Sequence, residues 1–68
     1  MELVTFLEAF LKDCDVCITN GSFIVYAGSI KDFLTTGEGH DFERRVYGYY
    51  EVHFASIDRE TGRLIVGI

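Results

Sequence analysis

The 68-residue sequence has no proline, no tryptophan, one methionine and two cysteines. No low-complexity run, repeat or linker divides it, so the expectation is a single domain over residues 1–68. Cys14 and Cys17 lie too close together to staple a small secreted fold, which points to reduced thiols and a cytoplasmic location. Long apolar runs are also missing. Glu8 and Lys12 interrupt the first apolar stretch, well short of the ~20 residues a spanning helix needs. The opening Met1-Glu2-Leu3-Val4-Thr5 lacks the basic start of a signal peptide. Basic residues are scarce, 6 Lys+Arg against 11 Asp+Glu, giving a net charge of −5 and a pI near 4.7. That balance argues against nucleic acid and against anionic membrane surfaces as partners.

What remains is rich in apolar side chains, 49% hydrophobic and 15% aromatic. Such a composition is too apolar for a disordered tail. Leu3, Phe6, Leu7, Phe10 and Leu11 recur at i, i+3, i+4, i+7 and i+8, which predicts an amphipathic helix over 2–12. Glu8 and Lys12 add a favourably oriented i,i+4 pair. Val16-Cys17-Ile18-Thr19 reads as a short strand, and Asn20-Gly21 as a two-residue type I′ hairpin turn. Phe23 to Ala27 is the returning strand, ended by Gly28. Ser29-Ile30-Lys31-Asp32 has a capping-box arrangement, which predicts a short helix over 30–35 anchored by Ile30, Phe33 and Leu34.

Thr35 to Asp41 carries no hydrophobic residue and two glycines, and reads as an exposed loop. From Arg45 to Ile57 the chain reads as one long strand bent at Gly48, with Tyr50, Val52 and Phe54 on one face and Tyr49, Glu51 and His53 on the other. Asp58-Arg59-Glu60-Thr61-Gly62 is a turn whose glycine takes the left-handed position, and Leu64 to Ile68 pairs back. The sum is an α+β fold in the order α-β-β-(short α)-β-β, a helix packed on an antiparallel sheet of about four strands. The order in which the two hairpins meet stays open.

Chemistry is thinly represented. Cys14-Asp15-Val16-Cys17 has redox spacing, but Cys14 follows a predicted helix C-terminus between Asp13 and Asp15, where thiolate is disfavoured. As a zinc site the pair supplies half the ligands, and His40 and His53 lie 23 and 36 residues beyond Cys17, off zinc-finger spacing. The bland reading, two small residues at a helix-to-strand junction, is preferred, with zinc kept as an alternative. No Gly-x-Ser-x-Gly is present, and Gly37-Glu38-Gly39 lacks what a phosphate loop needs. The acidic pairs Asp13/Asp15, Asp41/Glu43 and Asp58/Glu60 fall at loop or strand ends and read as solvated charge. So short a chain also struggles to enclose a ~300 Å³ pocket by itself. A non-enzyme without cofactor or metal is the expectation.

The segment from Arg44 to Val52 mixes basic and aromatic residues. It partly resembles the eight-residue ribonucleoprotein motif of RNA-recognition domains: Arg45, Tyr47 and Gly48 fit, Tyr49 nearly fits, and Val46, Tyr50 and Val52 depart. That resemblance implies a nucleic-acid module using Arg44, Arg45, Tyr47, Tyr49 and Tyr50, against which the acidity speaks. On size grounds one helix and four short strands hide about half of ten aromatic rings. The surplus predicts association, as a homodimer or with another protein.

The order of features also resembles small proteins encoded by bacteriophages and bacterial mobile elements. It rests on the short amphipathic helix, Asp15-Val16-x-Ile18, a turn glycine, Val25-Tyr26-x-Gly28 and a C-terminal hairpin. This resemblance implies a non-catalytic protein that binds a host factor, as some anti-CRISPR proteins do. The expected interaction surface is Tyr47, Tyr49, Tyr50 and His53, with Glu38, His40, Asp41 and Glu43 as an acidic rim.

Overall fold

The computed structural model describes residues 1–10, 13–35 and 45–68. Its elements are α1 (Leu3–Leu7), β1 (Asp15–Thr19), β2 (Ile24–Ser29), α2 (Ile30–Leu34), β3 (Phe54–Ile57) and β4 (Leu64–Gly67). The fold is α+β with a four-stranded sheet in the order β2-β1-β4-β3. Both expected hairpins, β1/β2 and β3/β4, are antiparallel. They meet through the parallel pair β1/β4, so the sheet is mixed where all-antiparallel pairing was expected. Chain direction within a hairpin is set by its turn, whereas direction between hairpins is set by how the intervening 25 or so residues return, which local pattern does not encode.

Strand alternation sets the core. Val16 and Ile18 of β1 lie beside Leu64 and Val66 of β4 in register, and all four are buried on one face. Leu3 and Leu7 of α1, Ile30 and Phe33 of α2, and Tyr26 of β2 complete that cluster. Burying each such side chain contributes about 1.5–3 kcal/mol. The Tyr26 and Phe33 rings meet at 5.0 Å, tilted by 57°. Tyr26 keeps its hydroxyl satisfied by donating to the Ser29 carbonyl at 2.7 Å.

Three local expectations change. The helix expected over 2–12 is α-helical only over Leu3–Leu7. Its N-cap, Glu2, makes no side-chain cap hydrogen bond and its first turn holds no acid, so nothing local reinforces it. It closes by tighter i to i−3 bonds, Ala9 N–H to Phe6 O at 3.2 Å and Phe10 N–H to Leu7 O at 3.1 Å. Leu11 and Lys12 lie outside the described residues. The Asn20-Gly21 turn is longer than two residues. The strands stop at Thr19 and Ile24, and the Asn20 carboxamide oxygen accepts from the Ser22 and Phe23 N–H groups. Only Gly21, at φ 94°, is left-handed there, so the turn is not type I′.

The largest change concerns 45–57, expected as one bent strand. Residues 45–47 are helical, 48–50 form a turn, and only Phe54–Ile57 is strand. Tyr50 N–H closes that turn on Tyr47 O at 3.1 Å. The tyrosines of a strand and of a turn are equally amphipathic, so their spacing does not separate the two. The Ser29 cap is as expected: its hydroxyl accepts from Asp32 N–H at 3.1 Å at the start of α2. So is left-handed Gly62, at φ 73°.

Candidate functional site

The expected surface begins with the turn after residue 47. Its backbone is tied to the start of α1, because Leu3 N–H donates to Tyr50 O at 2.9 Å and Val4 N–H to Gly48 O at 2.8 Å. Glu2 and Glu51 form an isolated antiparallel bridge, and Val52 N–H donates to Met1 O. With its backbone held from α1, the turn directs its rings outward. Tyr47 is half-buried, Tyr49 is 67% exposed and Tyr50 48%. Tyr47 and Tyr50 meet edge-to-face at 5.4 Å, a geometry that fixes ring orientation. His53 is exposed where the chain enters β3, and its N–H donates to Gly67 O at 2.7 Å. Tyr47, Tyr49, Tyr50 and His53 thus sit on one stretch of chain that runs from a helical turn through residues 48–50 to the start of β3, and not on one strand face. The acidic rim of Glu38, His40, Asp41 and Glu43 lies outside the described residues, as does Arg44.

The Met1 ammonium hydrogen-bonds and ion-pairs with the Glu51 carboxylate. That hydrogen bond, and next the ammonium charge itself, hold the Glu51 carboxyl below its ordinary value, with a smaller contribution from His53. Cys14 is exposed and Cys17 half-buried, both as thiols. Among the described residues no three His, Cys, Asp or Glu side chains are grouped as metal ligands, and none of the helices is long and apolar enough to cross a membrane.

A second apolar surface was not anticipated. The helices contribute to the core on one face of the sheet, the face of Val16, Ile18, Leu64 and Val66. All four residues of β3 are exposed, with Phe54 at 54% and Ile57 at 57%. Phe54 lays its ring across its register partner Gly67, where a methyl group would come within 2.0 Å of the ring. Phe23 and Ile24 are exposed at the far end of β2. Sequence reasoning placed Phe54 correctly in a strand. That this strand is an edge depends on β4 inserting between β1 and β3, a tertiary fact.

The fold and these surfaces define a two-layer α+β domain with aromatic and aliphatic groups facing solvent. Comparison with protein-family models, with curated proteins and with solved structures gave no match.

Proposed function

We propose that this chain is a non-catalytic protein-interaction module, encoded by a phage or mobile element, that works in the host cytoplasm by binding a host protein. The observation that carries the reading is the distribution of its rings. Of the nine aromatic residues described, Tyr26 and Phe33 are buried, and Phe23, Tyr49, Tyr50 and Phe54 are exposed. Aromatic groups held in fixed orientation at a surface are the usual anchors of protein interfaces, because they bury much area at little entropic cost. Tyr49 and Tyr50 are the anchors, with Tyr47 orienting Tyr50 and His53 at their flank. The negative charge of Glu38, Asp41 and Glu43, with His40 among them in the sequence, favours a partner with basic groups.

The test is a paired capture from host lysate with wild-type protein and the Tyr49→Ser/Tyr50→Ser double variant, followed by titration of the purified partner. A partner retained by wild type and bound at least tenfold more weakly by the variant supports the reading, since anchor residues carry on the order of 2 kcal/mol each. Equal binding by both proteins removes the aromatic surface from the proposal. A salt-sensitive complex with single-stranded RNA or DNA would replace this reading with the nucleic-acid one, and stoichiometric zinc on Cys14 and Cys17 would replace it with a metal-binding one.

A further inference from the structure

β3 leaves one side without a strand partner among the described residues. Its residues Phe54-Ala55-Ser56-Ile57 carry no charge, although a quarter of the chain is charged. Natural sheet edges are usually protected by charge, bulges or a covering element, because bare backbone groups template further pairing. The other edge, β2, has such protection. Its register slips by one residue at Val25, and α2 continues directly from its end with Ile30 and Phe33 buried against the core. Among the described residues no helix continues from β3, and its ladder is irregular at its start alone, where His53 N–H and Phe54 both face Gly67.

The ladder between β3 and β4 fixes which backbone groups face outward. Asp58 N–H donates to Arg63 O at 2.8 Å, and that pair extends the register of Ile57 with Leu64. Hydrogen-bonded and non-bonded pairs alternate in an antiparallel ladder. Ser56 and Asp58 therefore turn their N–H and C=O groups toward β4, and Ala55 and Ile57 turn theirs to the open side.

We propose that a second copy of this chain pairs with β3 edge to edge, antiparallel, about a two-fold axis at Ser56, joining two four-stranded sheets into one of eight strands. The proposal rests on the reading of the chain as an interaction module, and uses a different surface from the tyrosines. The register of β3 admits self-pairing with all outward N–H and C=O groups of the strand used. A two-fold axis through an antiparallel strand pair, with both helix layers kept on one side, must pass through a residue position, because residues facing each other share a sheet face. With the axis at Ser56, Ala55 of each copy faces Ile57 of the other, and these two pairs exchange four N–H to O bonds from within β3. With the axis at Ala55, Ile57 would face His53, whose N–H is already donated to Gly67.

Charge favours the same choice. Two copies at −5 each repel, so contact is least costly where no acid meets an acid. The Ser56 axis sets Asp58 against Phe54 of the second copy, Ile57 against Ala55 on the helix side, and serine against serine at the centre. The strand buries on the order of a few hundred Å² per copy, less than the roughly 800 Å² of a standard interface, so the dimer assembles only at high concentration.

The test uses the full chain. Wild-type protein at about 100 µM should sediment as a dimer, a concentration suited to a small interface. Ile57→Lys should be monomeric with an unchanged circular dichroism spectrum. Ile57→Pro removes the outward N–H together with the isoleucine side chain and should behave likewise; if it fails to fold, Ile57→Lys still decides. In a Cys14→Ser/Cys17→Ser background, Ser56→Cys should cross-link under mild oxidation at least about tenfold faster than Ala55→Cys, because only position 56 meets itself at disulfide distance. Monomeric wild type, an undiminished Ile57→Lys dimer, or equal cross-linking at 55 and 56 would overturn the proposal. A dimer lost in Tyr49→Ser/Tyr50→Ser but kept in Ile57→Lys would move self-contact to the tyrosines. Monomeric protein that still captures a host partner through the tyrosines would leave the interaction reading standing and remove this one alone.

Discussion

The two edges of the sheet are built from similar residues and finish differently. β2 and β3 are both uncharged and each carries one aromatic side chain, with two β-branched residues in β2 and one in β3. Tyr26 of β2 is 5% exposed, packed on Phe33 and hydrogen-bonded at its tip; Phe54 of β3 is 54% exposed and touches the glycine beside it. Tyr26 lies on the helix side of the sheet, in register with Ile18, and Phe54 lies on the other side, opposite Gly67; on the helix side of β3 Ile57 is 57% exposed, and there the segment that leaves each strand makes the difference. β2 runs directly into α2, whose Ser29 cap turns the chain back over the sheet. β3 runs into the turn at Asp58 to Gly62 and straight back along its neighbour. Burial here is a property of the connection more than of the strand.

Substituting the same residue type at both edges tests this most strongly. Phe33→Ala, beneath β2, should cost about 3–5 kcal/mol, enough to unfold a domain of this size, as read by urea denaturation. Phe54→Ala should cost under about 1 kcal/mol by the same measurement, since it removes one cross-strand contact from an exposed ring. Equal losses would mean that β3 is buried in solution, by a partner or by residues outside those described.

Ser29→Ala probes the connection that protects β2. It removes the acceptor for Asp32 N–H and should lower stability by about 1 kcal/mol, with Ser29→Asp retaining most of it. If the loss is confined to amide exchange in α2 and β2, with β3 unaffected, the two edges are energetically separate.

The smallest expected effect lies at the entrance to β3. Glu51 has a lowered carboxyl pKa in the fold, owing chiefly to the Met1 ammonium. A group depressed on folding stabilises the native state at pH values above its unfolded pKa, ordinarily 4.5, and that contribution vanishes as pH falls through the lowered value. Urea midpoints of wild type and Glu51→Gln should therefore differ slightly at pH 7 and converge at acid pH. A difference that persists at low pH would assign the effect to packing.

Legibility from sequence tracked the range of the interactions. The α2 cap, left-handed Gly62 and both hairpins could be read because each depends on residues a few positions apart. The Tyr47 to His53 segment was identified as an exposed aromatic stretch but assigned to a strand. Its turn is held by Leu3 and Val4, more than forty residues away, and no periodicity in 45–57 carries that information. The length of α1 was overread for a related reason: the apolar spacing of Leu3, Phe6, Leu7 and Phe10 records which residues pack on the core, and the tighter closing turn keeps Phe10 there without helical continuation.

By itself, then, the sequence determined an acidic α+β fold with two hairpins, a capped short helix and aromatic side chains left at the surface. Tertiary structure alone decided that the hairpins join through parallel β1 and β4, that α1 stops at Leu7, and that β3 is the outermost strand of the sheet among the described residues. Local dihedral preferences and alternation act between near neighbours, so they are written in adjacent letters. Which strand ends up outermost is settled by long-range packing of Leu3, Leu7, Ile30 and Phe33 on one face of β1 and β4, and that contest has no local signature.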